Sequence, residues 1–267
     1  MGADIKKLRT RIKSVSSTMH LTKAMELVAS SKIRKANLAM TASREYKDAV
    51  EETVNQLTVS RECEKSPYMK NREDGADRII VIAGDRGLAG GYNANVFKLA
   101  KEYPDAEVIA IGKRACDRFT GEFTSVEDFS SKDAKKLSDT LCEDFANGEF
   151  RRLGIISTKY ISMMSQEAQI EWILPLSKNE NTKSKSFVFE PDELTVLNSA
   201  IPEYVSGMII SAVRESFASE VAARRVAMDS AGKNAQEMLD ELGIAYNRAR
   251  QGAITQEITE IVAGSGL

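Results

Sequence analysis

A glycine-rich stretch at residues 84–93 combines residue types and spacing that could support chemistry. It reads GDRGLAGGYN and directly follows a β-branched run at 77–84 that is typical of a buried strand. Backbone N–H groups in a glycine loop between a strand and a helix can bind a phosphate, so a nucleotide-dependent enzyme is one hypothesis. The spacing, however, matches neither G-x-G-x-x-G nor a Walker loop, and no acidic residue ends the second strand. This spacing favours a tight turn or a partner contact.

The other residues with catalytic potential are isolated from one another. His20 is the one histidine, and Cys63, Cys116 and Cys142 are widely spaced without a CxxC motif. The sequence also lacks a nucleophile elbow and a carboxylate pair spaced for acid–base work. We therefore expect no active site, no metal and no cofactor. Three separated cysteines in a chain of this length indicate free thiols in a reducing compartment.

Both ends of the chain lack the residues that break helices. Residues 3–66 contain neither Gly nor Pro, and the last proline, Pro202, is followed by 65 residues. Such stretches predict a very long helix at each end. A helix over residues 3–57 would extend roughly 80 Å at 1.5 Å per residue, which exceeds the diameter of a domain of this size.

The apolar residues of these two segments follow the heptad spacing of a coiled coil. The first segment changes phase between Thr22 and Ala36, and its predicted seam comprises Ile5, Leu8, Ile12, Val15, Met19, Thr22, Met25, Ala29, Ile33, Ala36, Met40, Ser43, Lys47, Val50, Val54 and Leu57. The seam of the second comprises Leu239, Leu242, Tyr246, Ala249 and Ala253. We expect the two helices to pair antiparallel, with Gly207, Gly232, Gly243 and Gly252 as points of close approach or bending.

The middle of the chain alternates between strand-like and helix-like segments. Further β-branched runs occur at 107–112, 153–158 and 169–174, and helical patterns at 94–100, 113–119 and 133–146. Alternation of this kind predicts a small, mostly parallel sheet with covering helices, and residues 177–186 are polar and predict a loop. The fold class is therefore α/β: a long antiparallel coiled coil of the terminal helices (1–60 and 203–267) plus a small Rossmann-like α/β domain (75–195).

Charge is distributed unevenly along the chain. Formal net charge is −2, yet residues 1–47 carry eleven Lys and Arg against three acids, whereas residues 203–263 carry nine acids and six bases. A basic first helix is compatible with nucleic-acid binding, but its basic face offers only Tyr46 for stacking on bases. Without an apolar signal core or a long uncharged apolar stretch, we expect a soluble or peripheral membrane protein, and a bacterial one.

Three motifs closely resemble the gamma subunit of the F-type ATP synthase. The first is IKSV at 12–15 with LTKAMELVASSK at 21–32, which is similar to the family's ITKAMxMVAxxK. The second is DRGLAGGYN at 85–93, similar to DRGLCGGxN, with Ala89 where many relatives have Cys. The third consists of AARRVAM at 222–228 and YNRARQGAITQEITEIV at 246–262. The resemblance spans the whole chain, although the segment from 160 to 202 matches poorly.

This resemblance implies the central shaft of a rotary motor. In the family, the paired terminal helices enter a hexamer of alpha and beta subunits, and the α/β domain stays outside against the epsilon subunit and the membrane c-ring. Ion flow turns the ring and shaft, and the shaft drives the beta subunits through different nucleotide affinities. The driving ion, H⁺ or Na⁺, is left open by this chain. We expect a non-catalytic subunit, attached indirectly to the cytoplasmic face of the cell membrane, without nucleic acid.

The resemblance also implies roles for individual residues. Arg224, Gln251 and Thr255 match polar residues that bind a beta-subunit loop and form a contact between rotor and stator. Met25, beside the basic Lys23, matches the position where an added positive charge is expected to disturb coupling, and both are expected rotor–stator contacts.

The remaining matches are Arg250, a further expected rotor–stator contact, and the loop at the foot of the shaft. For Lys23, Arg224 and Arg250 the alternative is a solvated helix face. The loop residues implied to have a structural rather than a catalytic role are Asp85, Arg86, Gly87, Gly90 and Gly91.

Overall fold

The computed structural model describes residues 2–178 and 189–264. Two long helices dominate it, α1 (Gly2–Leu57) and α5 (Glu193–Gly264). The prediction of a very long helix at each end is confirmed. Except for its first two residues, the polar loop predicted at 177–186 lies outside the described residues.

Helix α5 begins ten residues before the predicted start at 203, and Pro202 lies inside it. Asp192 caps the helix, since its carboxylate accepts the Thr195 N–H at 2.8 Å and the Thr195 hydroxyl at 2.8 Å. A proline inside a helix costs about 3 kcal/mol. The helix continues through it because Leu197 and Ile201, one helical turn apart just before the proline, are fully buried. Burial of two large aliphatic side chains is worth about 3–6 kcal/mol, which offsets the cost of the proline.

The strands between the long helices form one four-stranded sheet in the order β2-β1-β3-β4. Strand β1 (Asp77–Ile82) pairs parallel with β2 (Glu107–Ile111) and with β3 (Arg152–Tyr160). Strand β4 (Gln166–Leu174) pairs antiparallel with β3. Three helices accompany the sheet: α2 (Tyr92–Ala100), α3 (Lys113–Phe119) and α4 (Ser131–Asn147). The predicted mostly parallel α/β domain is confirmed, with β3 and β4 longer than expected.

The sheet is buried on both faces, and β1 shows how. Ile80 and Ile82 belong to a large core that also contains Leu141 and Phe145 of α4 and apolar residues of both long helices, namely Val54, Leu57, Leu197, Ile201, Val205, Met208, Ile209 and Val213. The alternate residues Ile79 and Val81 belong to a second core, shared with α2 and α3. Because side chains alternate between faces along a strand, this continuous apolar run serves two cores.

One 18-residue window of α5 is long and apolar enough to cross a membrane, whereas the sequence analysis found no such stretch. Most of that window, 61%, is buried inside the protein. Ser206 and Ser211, both buried, lie among the apolar residues that α5 gives to the large core. The window therefore has the features of the core helix of a folded domain.

The chain divides into two compact units, Ser30–Arg224 and a second one made of Met1–Ala29 with Arg225–Leu267. Both long helices pass from one unit into the other. The three predicted segments thus differ from the compact units of the structure, because the α/β domain shares its core with parts of both long helices.

The predicted seams coincide with the covered residues of the long helices. Every seam position of α1 and of α5 is buried or half-buried, as the heptad spacing requires. Within Ser30–Arg224 the two helices run antiparallel: Arg44 pairs with Glu215 at 2.6 Å, and Tyr46 lies against Gly207. A Cβ on Gly207 would lie 3.0 Å from the Tyr46 ring, so this glycine does permit close approach.

The other glycines of α5 have more space around them. In the second unit, a Cβ at Gly232 would make an ordinary contact of 3.6 Å with the Thr22 hydroxyl, and one at Gly243 or Gly252 would meet nothing within 4 Å. Close approach therefore does not explain these two glycines.

Candidate functional site: the glycine loop and the helix that holds it

The glycine loop lies at the carboxyl end of β1, between the ends of β2 and β3. After β1 the chain crosses to β2, which pairs with one edge of β1, whereas β3 pairs with the opposite edge. In open α/β sheets such a switch point is where ligands bind. The loop therefore stands in the place where a nucleotide site would be expected, and its hydrogen bonds decide whether it is one.

An internal carboxylate occupies the place of a phosphate. Asp85 accepts hydrogen bonds from the backbone N–H groups of Val126 at 2.8 Å, Glu127 at 3.2 Å and Lys113 at 3.3 Å. It also accepts the Ser125 hydroxyl at 3.0 Å. Lys113 is the first residue of α3, and N–H groups at such a position would otherwise bind an anion. The carboxylate of Asp85 thus ties the glycine loop to the start of α3 and to residues 125–127.

Asn93 closes the loop on itself. Its amide oxygen accepts the Gly84 N–H at 2.9 Å, and its amide nitrogen donates to the Arg86 carbonyl at 3.3 Å. This side chain therefore holds the two ends of the turn together. The loop keeps its shape through contacts inside the chain.

Arg224 of α5 binds the outside of the turn. Its guanidinium donates to the Gly87 carbonyl at 3.3 Å and to the Arg86 carbonyl at 3.3 Å. The same group forms an ion pair with Glu220, one helical turn earlier. The loop thus presents carbonyl oxygens to a cation, which is the opposite of a phosphate-binding loop. This geometry gives no support to the nucleotide-enzyme hypothesis.

The ion pair is well shielded from solvent. The Arg224 side chain is 12% exposed and that of Glu220 is 3% exposed. A Cβ at Gly84 would lie 2.6 Å from the carboxyl carbon of Glu220, so the close contact of the carboxylate with the loop requires glycine there. Burying a charge is costly unless it is paired, and here Arg224 provides the pairing.

Tyr92 and its neighbours extend this contact toward the sheet. The Tyr92 hydroxyl donates to the Ser216 carbonyl of α5 at 3.0 Å. Burial, with the nearby Glu220 carboxylate, raises the pKa of Tyr92 above its usual range, so the phenol stays protonated as a donor. Ser216 accepts the Thr158 N–H at 3.1 Å, and the Ser219 hydroxyl donates to the Thr158 carbonyl at 3.2 Å. One face of α5 therefore binds both the loop and the end of β3.

Helix α1 is linked to the same region through Glu127. Lys32 forms an ion pair of 2.7 Å with Glu127, whose N–H is bound by Asp85. Farther along α1, Arg44 donates to Glu215 and to the Tyr160 carbonyl at 3.1 Å. Both long helices thus have polar links to the α/β domain in addition to the shared core.

The structure separates the residues for which the sequence implied roles. The loop residues Asp85, Arg86, Gly87, Gly90 and Gly91 lie together at the end of β1. Lys23, Met25, Arg250, Gln251 and Thr255 belong to the unit made of Met1–Ala29 and Arg225–Leu267. Gln251 and Thr255 are exposed, and the Thr255 hydroxyl donates to the Gln251 carbonyl at 2.9 Å.

Lys23 and Met25 lie on helix α1. The Lys23 side chain is 70% exposed, with the Glu26 carboxylate 4.0 Å away, and Met25 is half-buried.

Arg224 has partners within the chain. The resemblance implied a contact with a beta-subunit loop, which stays a prediction; in the structure the guanidinium is nearly buried and bound to Glu220 and to the glycine loop. The sequence analysis missed Glu220, although its i,i+4 spacing from Arg224 is a recognisable pattern for an ion pair on a helix. It also missed Asn93 as the residue that closes the loop.

Comparison with known proteins identifies the family. The family model described as ATP synthase matches residues 4–266. Curated relatives include the ATP synthase gamma chain of Ruminococcus albus, 42% identical over 98% of both chains, and the sodium-ion-specific ATP synthase gamma chain of Acetobacterium woodii, 38% identical over 99% of both. The chain belongs to the gamma-chain family of ATP synthases.

Solved structures share the fold. The chain is similar to one from the rotor of the Euglena gracilis mitochondrial ATP synthase, with a TM-score of 0.66, 19% identity and coverage of 95% of this chain and 100% of that one. It is also similar to a chain from the central stalk and c-ring of the Tetrahymena thermophila mitochondrial enzyme, with a TM-score of 0.61, 18% identity and coverage of 79% and 99%. Both are of the same fold class as this chain.

Proposed function

We propose that this chain is the central rotor shaft of an ATP synthase and couples ion flow through the membrane to ATP synthesis or hydrolysis. Its membership of the gamma-chain family carries the proposal. Two features of the structure support it. Each end of the chain forms a continuous helix, of 56 and 72 residues, and the glycine loop is held by internal hydrogen bonds, as suits a mechanical rather than a catalytic role.

The chain has no catalytic role of its own under this proposal. The active sites lie on the beta subunits, and the shaft changes their nucleotide affinities by pressing on them in turn as it rotates. A contact acts in this way only if it differs between the states of the partner. The required asymmetry comes from a shaft that presents different residues to each beta subunit.

The partners follow from the same role. The paired terminal helices enter the alpha–beta hexamer, and the α/β domain binds the epsilon subunit and the c-ring. Attachment to the cytoplasmic face of the cell membrane is indirect, through the c-ring. Exposed apolar residues near the end of α5 suit a helix whose surface is covered by a partner; they are Ile254, Ile258, Ile261 and Val262.

Contact between rotor and stator is assigned to residues of the second unit. Gln251, Thr255 and Arg250 are exposed on α5, and Lys23 with Met25 lies on α1. Gln251 offers both a donor and an acceptor, so it can bind a backbone segment of a beta subunit. Arg224 stays an expected contact as well, although its guanidinium is bound within the free chain.

The first experiment is gentle purification of the tagged chain from its host. Alpha, beta and epsilon subunits are expected to co-purify and to bring Mg-ATPase activity. A chain that emerges alone, or with nucleic acid, would overturn the proposal.

Substitution then tests the contact. Gln251→Ala with Thr255→Ala is expected to lower ATP-driven ion pumping while the complex still assembles. Thr259→Ala is the matched control, because this exposed threonine also donates to the carbonyl four residues earlier, at 2.8 Å. Equal losses in the control and the double variant would contradict the assignment.

A further inference from the structure

The glycine loop is bound from two sides within the unit Ser30–Arg224. On one side, Arg224 and Glu220 of α5 bind its outer carbonyls and lie against Gly84. On the other, Asp85 binds the backbone of Glu127, which pairs with Lys32 of α1. A single turn of ten residues is therefore connected to both long helices.

Directional bonds hold α5 to the domain over residues 214–224, and those of Arg224 come last along the helix. Along 197–213, α5 is attached to the domain mainly by apolar packing, in which side chains such as Leu197 and Val205 are fully buried. Apolar contact is non-directional, so it resists separation of two surfaces more than sliding between them. Hydrogen bonds to fixed carbonyls weaken steeply when the donor angle changes. The bonds of Arg224 therefore resist rotation of α5 about its own axis.

These bonds lie at the end of the compact unit Ser30–Arg224. Arg224 is the last residue of its compact unit, and α5 continues from it into the second unit without a break. Any twist that the α/β domain imposes on α5 beyond this point has to pass through the turn that carries Glu220 and Arg224. A buried ion pair contributes little net stability, so retaining one here suits orientation better than stability.

We infer that Glu220, Arg224 and the loop at 84–93 form a clasp that transmits rotation from the α/β domain to α5. This inference rests on the proposed rotor function. Glu220 and Arg224 are positioning residues: Glu220 orients the guanidinium, and the guanidinium fixes the helix to the loop. Asn93 belongs to the clasp because it holds the turn that presents the Arg86 and Gly87 carbonyls to Arg224.

The test uses the whole ATP synthase with variants in this chain. Arg224→Ala and Asn93→Ala remove the helix side and the loop side of the clasp. The control is Arg114→Ala, an arginine beside the same loop that is 48% exposed and lies 3.7 Å from Asp117. Two quantities are measured on complexes of equal subunit content: ions pumped per ATP hydrolysed, and the torsional stiffness of the rotor in single-molecule rotation.

Both clasp variants are expected to lose pumping per ATP by on the order of threefold and to have a softer rotor, while the control matches the unmodified complex. Loss of a residue that served folding alone would reduce the yield of complex and leave both the pumping ratio and the torsional stiffness unchanged. Asn93 lies inside the loop, so a softer rotor in Asn93→Ala cannot come from a lost stator contact. Unmodified stiffness and pumping ratio in both clasp variants would overturn the inference.

A conservative variant keeps the test decisive if Arg224→Ala fails to assemble. Arg224→Lys retains the charge beside Glu220 but replaces the planar fork of donors with a single ammonium group. It is expected to soften the rotor less than the alanine variant, and full stiffness in Arg224→Lys and Asn93→Ala together would reject the clasp. Failure of the unmodified chain to co-purify with an active ATPase would reject the rotor function instead.

Discussion

The charge of Asp77 is paired with two arginines. Its carboxylate accepts two hydrogen bonds each from Arg151 and Arg152, at 2.5–3.0 Å. The hydrogen bonds from Arg152, then those from Arg151, lower the pKa of Asp77 from 3.8 to about 2. The Asp77 carboxylate joins the start of β1 to the start of β3 through these arginines.

Asp77→Asn is expected to destabilise the folded chain by about 2 kcal/mol at pH 7, which is the free energy equivalent of this pKa shift. Because the folded pKa is the lower one, the stabilisation is present above pH 3.8 and is lost as the pH falls through about 2. Urea unfolding at several pH values measures it. The two proteins should converge near pH 2, and Asp74→Asn, at an exposed position nearby, should match the unmodified chain.

Arg224 shows how far sequence reasoning reached at single residues. The resemblance pointed to it as a functional position, and the structure gives it well-defined partners. Those partners lie 137 and 138 residues away in the chain, at Gly87 and Arg86, and a backbone carbonyl leaves no signature in the sequence. Glu220, by contrast, could have been predicted, because a carboxylate four residues before an arginine is a local sequence pattern for an ion pair on a helix.

At the scale of elements, the periodic patterns predicted most of the fold. β-Branched runs located all four strands, and the heptad spacing located the covered faces of both long helices. The predicted start of α5 at 203 was wrong because the burial of neighbouring residues outweighs the helix-breaking tendency of Pro202. Local propensity is a weak predictor where long-range burial is large, and the burial of Leu197 depends on strands more than 20 residues away in the chain.

Two glycines of these elements should respond to the same substitution in opposite ways. Gly112, between β2 and α3, has φ +96°, and a Cβ there would lie 1.9 Å from the Ala83 carbonyl oxygen. Gly112→Ala is expected to cost about 3 kcal/mol or more. Gly243 lies in α5 with nothing within 4 Å of a Cβ, so Gly243→Ala should stabilise the helix by up to about 1 kcal/mol. Urea unfolding and soluble yield of the two variants measure both effects, and a stable Gly112→Ala chain would contradict the first.

At the scale of the whole molecule, stability is expected to be uneven. The large core buries α5 along 197–213, whereas every residue from 254 to 264 is exposed. Amide hydrogen exchange in the free chain should be slow in the first region and fast in the second, because local opening is easiest where few apolar contacts hold a helix. Assembly with the hexamer should slow exchange at 254–264. Strong protection of this segment in the free chain would show that α5 is stable there without a partner.

The large core combines residues from the two ends of the chain, and this has a consequence for synthesis on the ribosome. Val54 and Leu57 of α1 pack in the same core as Leu197 and Ile201 of α5. At ordinary rates of translation, on the order of 10–30 s pass between the two segments. During that interval the apolar residues of α1 are already synthesised but cannot yet pack against α5. We therefore expect the nascent chain to depend on chaperones until α5 emerges, and to fold late and as one event.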